Sequence, residues 1–123
     1  MSELEGFELF RPNADKPLYI AARQKSVAIC AEAYKALGCP QYVNVFTDDF
    51  KKRIMIKKAE KGYENAIKVV QHSAGRNMCL CYKKLADMVI EMFGQSTRVY
   101  GHVVGDGMMI FDKTEEKSWQ EMN

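Results

Sequence analysis

The feature that most restricts how this chain folds is a pattern of short elements that occurs twice. From Leu18 the sequence runs "LYIAA", a polar break "RQKS", then "VAIC", two apolar runs around a turn, which predicts a hairpin. "AEAYKALG" follows directly, with Ala33, Tyr34 and Leu37 at helical spacing and Gly38 placed to stop the helix in a left-handed conformation. "YVNVF", the turn "TDDFKK" and "RIMIKK" then alternate as a second hairpin, with Val43, Val45, Ile54 and Ile56 facing inward.

The second half repeats the order strand, strand, helix, strand, strand. "IKVVQ", the break "HSAGRN" with Gly75 at its turn, and "MCLCY" predict a hairpin. Lys83 to Phe93 is the clearest helix: Leu85, Met88, Val89 and Met92 form one stripe, Lys84, Asp87 and Glu91 face away, and Gly94 ends it. "RVYGHVV" turns through Gly105, Asp106 and Gly107 into "MMIFD", where one of Met108 and Met109 points outward. The expected fold is therefore a single α+β domain over residues 1–123. Two tandem ββαββ repeats, about 18–58 and 67–113, form one pseudo-twofold, β-rich unit with two helices, and a polar tail spans 114–123. "GFELF" near the N-terminus is a candidate extra strand, and Trp119 in the tail a candidate docking residue.

A strand that passes straight into a helix at Cys30, and again near Tyr82, is thus a joint of the scaffold. An activated-nucleophile turn needs a glycine-flanked serine or cysteine at the bend, and neither joint has one. No phosphate loop, dinucleotide fingerprint or H-E-x-x-H is present, and His72 and His102, both in the second half, fall at no corresponding positions of the two repeats. Asp48, Asp49 and Asp106 fall at turns, where aspartate satisfies local backbone groups. The four cysteines, Cys30, Cys39, Cys79 and Cys81, lack metal-ligand spacing and read as buried small hydrophobes. The reading is non-enzymatic, with no metal and no cofactor. Most of the eight methionines are expected to pack in the core, an adaptable partner surface being the alternative.

Charge is uneven, although the net is only +2. Residues 17–61 carry nine bases and four acids, while both ends are acidic. Such a middle attracts a polyanion, or is a solvated face. The cluster Lys51, Lys52, Arg53, Lys57 and Lys58 reads chiefly as protection of an exposed sheet edge or as plain solubility, with contact to an acidic partner as the alternative. No apolar run is long enough to cross a bilayer, and the acidic start lacks the layout of a secretion signal, so a cytoplasmic location without membrane contact is expected.

Residues 18–58, through "SVAICAEAYKALG" with its Leu37-Gly38 exit and the closing hairpin "YVNVFTDDFKKRIMIKK", resemble the swapped-hairpin domains of the AbrB and SpoVT superfamily of DNA-binding transition regulators. The second half is similar in layout. In that family two units intertwine and present basic residues to DNA, so two units in one chain resemble a fused pseudo-dimer. The resemblance implies duplex DNA as partner and contacts from Arg23, Lys25, Lys35, Arg76, Lys83 and Lys84. Cys30 stands where the family has proline, and Lys25-Ser26 where it has glycine-arginine. Fewer cations held in register mean weaker phosphate binding. The competing expectation is a protein-interaction or structural module, with a protein partner or a second copy of the chain as its partner, that keeps the fold without the DNA face.

Overall fold

A computed structural model describes residues 17–71 and 78–114. Their order is β1 (Tyr19–Ala22), β2 (Val27–Ile29), α1 (Ala31–Ala36), β3 (Tyr42–Asp48), β4 (Arg53–Ala59), β5 (Ile67–Lys68), β6 (Val70–Gln71), β7 (Met78–Leu80), α2 (Lys83–Phe93), β8 (Arg98–Gly105) and β9 (Met108–Thr114). The architecture is mostly antiparallel β, a nearly closed barrel-like sheet accompanied by two helices. β9 reaches Thr114, one residue into the stretch expected to be tail.

The strands lie in the order β5-β3-β4-β9-β8-β1-β2-β7-β6. Only Val69 separates β5 from β6, so the two ends of the sheet meet in one stretch of chain. The backbone N–H of Val69 donates to the Gln41 carbonyl at 2.8 Å, which ties this break to the start of β3. Closing a sheet on itself removes the free edges at which other chains could pair.

Alternation decides what faces inward. Ile54 and Ile56 on β4 are buried, as are Met109 and Phe111 on β9, while Met55 and Ile110 sit opposite each other on the outer side. Ile20, Ile29, Leu80 and Val99 complete the wall, and Leu37 after α1 and Leu85, Ala86 and Val89 of α2 pack against it. Each large apolar side chain removed from water contributes about 1.5–3 kcal/mol. The Phe111 ring crosses over Gly101, where a Cβ would run into that ring and the Ile110 carbonyl oxygen. The β8–β9 register shifts at this point, between Tyr100 and Gly101.

Four expectations need correction. "IKVVQ" is not one strand: it breaks at Val69, because its first residues pair with β3 and its last with β7. β4, which carries Arg53, Lys57 and Lys58, is not an edge, since it lies between β3 and β9; edge protection cannot explain its lysines. The apolar stripe of α2 is rotated from the expected one, with Ala86 buried and Met88 exposed. Cys39 and Cys81 are exposed, and only Cys30 and Cys79 are buried. Gly75, His72, "GFELF" and Trp119 lie outside the described residues.

Candidate nucleic-acid interface

The β1–β2 turn is closed by the Arg23 N–H donating to the Ser26 carbonyl at 2.7 Å, and it leaves Arg23 and Lys25 exposed. β2 then pairs antiparallel with β7, setting Val27 opposite Leu80 and Ile29 opposite Met78. The end of β2 that carries the turn therefore lies beside the end of β7 that runs through Cys81 and Tyr82 into α2. Arg23 and Lys25 from the first half are brought to the same end of this seam as Lys83 and Lys84 from the second. Cys79 records the proximity. Burial raises its thiol pKa, Cys81 adds to the rise, and Arg23 opposes it.

Lys35 is not part of this group. α1 leaves β2 from the opposite end, beside Met78, and Lys35 is exposed in its last turn. Arg76, in the segment before Met78, lies outside the described residues. The seam thus joins four of the six expected cations and sends Lys35 the other way.

The start of α2 is unusual in its chemistry. Tyr82 at the N-cap has an extended backbone and makes no side-chain cap, and no acidic residue stands in the first turn. The first backbone N–H groups of a helix have no partner within it, and they favour anions. Here the residues nearest them are two lysines. Lys83 reaches Asp87 one turn on, at 2.9 Å, while Lys84 has no ion-pair partner among the described residues. Free N–H groups, two lysines, Arg23 and Lys25 together can hold phosphate oxygens.

In the other basic cluster, two of the five side chains are held in ion pairs. Arg53 donates through Nε and Nη2 to Asp48 at 3.3 and 2.8 Å, and the Lys51 N–H donates to the same carboxylate at 3.1 Å. The Arg53 hydrogen bond, then that of Lys51, holds the Asp48 carboxyl below its usual range. Lys58 pairs with Asp106 at 3.0 Å, and its stem lies over Gly107. Only Lys51, Lys52 and Lys57 of this cluster remain without an ion-pair partner among the described residues.

Cys30 has a role that its reading as a buried hydrophobe missed. Its Sγ accepts from the Ala33 and Tyr19 N–H groups at 3.4 and 3.3 Å and donates to the Pro17 carbonyl at 3.6 Å. The thiol caps α1 and pins it to β1. The available signal was position alone, since cysteine is not among the favoured capping residues. Among the described residues, no group of three or more His, Cys, Asp or Glu side chains is placed to hold a metal ion, and His102 is exposed on β8. No helix among them is long and apolar enough to cross a membrane. Compared with family models, with curated proteins and with solved structures, the chain has no match.

Proposed function

We propose that this chain is a non-enzymatic, transcription-regulator-like protein that binds duplex DNA, built as two ββαββ units about a pseudo-twofold axis in the manner of AbrB-like domains. The observation that carries the DNA reading is the β2–β7 register, which gathers Arg23, Lys25, Lys83 and Lys84 around an uncapped helix start.

The ladder pattern supports the twofold arrangement. Exchanging β1, β2, β3 and β4 for β5/β6, β7, β8 and β9 turns β1·β2 into β6·β7, β3·β4 into β8·β9, and β1·β8 into β5·β3. The ladders β2·β7 and β4·β9 map onto themselves, the first centred on the pair Ala28 with Cys79 and the second between the pairs Met55 with Ile110 and Ile56 with Met109. Lys35, exposed in the last turn of α1, which leaves β2 at the opposite end of the seam, offers a second cation toward the repeating phosphates of a duplex. Arginine offers the forked geometry that reads guanine, but Arg23 is the only arginine of the described group, so sequence preference rests mainly on DNA shape.

A gel-shift titration with random duplex at about 50 and 200 mM salt tests this reading. Four phosphate contacts predict roughly a hundredfold weakening across that range. Alanine at Arg23, Lys25, Lys83 and Lys84 together should flatten the salt slope by roughly three to four units. Binding that ignores both salt and these changes would instead favour a protein-interaction module. The observation behind that second reading is the outward row of Phe46, Met55 and Ile110 across three neighbouring strands, with Phe46 47% exposed.

A further inference from the structure

β5 is only two residues long, pairing Tyr42 with Lys68 and Val43 with Ile67. Beyond Val43, β3 continues to Asp48 with no strand partner on that side among the described residues. The chain turns away there at Asn65, in left-handed backbone at φ 61°, and the loop is held by the Asn44 side-chain amide donating to the Glu64 carbonyl at 3.0 Å. α2 does not close the gap. What remains is a cavity of about 500 Å³ between the free half of β3, the chain leading into β5, and the first two turns of α2.

Its size lies within the range of small-molecule sites. Val45, Ile67, Leu85 and Met88 make its lining mainly apolar, and Met88, exposed against the helix's expected stripe, is a flexible side chain able to adapt to a ligand. Lys84 is the single charged residue of the lining and has no ion-pair partner among the described residues. One lone cation beside an apolar wall suits a singly charged anion attached to an apolar body, and it suits neither a polyphosphate nor a cation.

We propose that this cavity binds a small carboxylate with an apolar body, its charged end on Lys84 and its body against Val45, Ile67, Leu85 and Met88. The site shares Lys84 with the proposed DNA-binding end, and occupancy measured on the protein alone, without DNA, tests it separately from the DNA reading.

Calorimetric titration of the full chain with octanoate, octanol and octylamine separates the two parts of the site, since the three share one body and differ in charge. The expected result is saturable one-to-one binding of octanoate, roughly tenfold tighter than octanol, with octylamine weakest. Lys84→Met should bring octanoate to the octanol level, and Lys84→Arg should preserve the preference. Ala66→Phe, which adds bulk to the lining, should weaken octanoate and octanol together. Equal binding of all three probes, no saturable binding, or an octanoate affinity untouched by Lys84→Met would overturn the proposal.

Discussion

The two strand-to-helix joints start alike and end differently. In each, a three-residue strand leads to a cysteine, Val27–Ile29 to Cys30 and Met78–Leu80 to Cys81. At the first joint the helix begins at the next residue, so the cysteine is the N-cap and its thiol accepts two backbone N–H groups. At the second, one more residue intervenes. The Tyr82 N–H bends back to the Leu80 carbonyl at 3.0 Å, the cap position falls on tyrosine, and Cys81 is left exposed. The charges follow the same division. α1 has Glu32 in its first turn and Lys35 in its last, which complements the helix dipole, whereas α2 opens on Lys83 and Lys84 against it. One inserted residue separates a joint built for stability from one that leaves its donors and cations available.

Removing the caps should expose this difference most strongly. Cys30→Ala takes the acceptor from the Tyr19 and Ala33 N–H groups and empties a buried position, and it should cost about 2 kcal/mol. Cys81→Ala, at an exposed position with no cap to lose, should change stability by less than about 0.5 kcal/mol. Urea unfolding of the two variants measures both, and equal losses would mean that the joints are energetically the same.

Supplying the missing cap tests the other side. Tyr82→Asp places a carboxylate where it can accept from the first-turn N–H groups of α2, which should stabilise the protein by about 1 kcal/mol. The same carboxylate stands beside Lys83 and Lys84, so DNA affinity at low salt should fall several-fold. Opposite signs in the two measurements are the signature of a helix start left open for an anion. A gain in both would remove the reason for assigning DNA to this end.

Much of this contrast was readable in the residues and some was not. The bounds of α2 followed from apolar spacing and from Gly94, which takes the positive φ of 108° that a side chain would resist, and Gly38 at φ 92° marks the end of α1 in the same way. These are local properties. The buried face of α2 was misjudged at Met88 because periodicity fixes a stripe's width, while packing against β1 and β2 selects which residue points in. That β4 is interior, that "IKVVQ" serves two partners, and that Lys35 parts from Arg23 all depend on which strands pair, and no short window of residues contains that information. The cap at Cys30 escaped notice for a chemical reason, since a thiol is a weak acceptor and works there only because it is buried among donors.

The smallest effect concerns the one acidic partner at the open joint. Asp87 lies one turn from Lys83, and both side chains are more than half exposed, so the pair contributes about 0.3–0.5 kcal/mol at low salt. Asp87→Asn should lose that much stability, and the loss should disappear in high salt as the charges are screened. DNA affinity should move the other way. The change frees Lys83 and deletes a negative charge from the proposed phosphate-binding end, so binding at low salt should tighten about two- to fivefold and its salt dependence should steepen. If affinity instead falls with stability, Asp87 is needed to hold Lys83 in position, and the cations at this joint act through their geometry more than through their number.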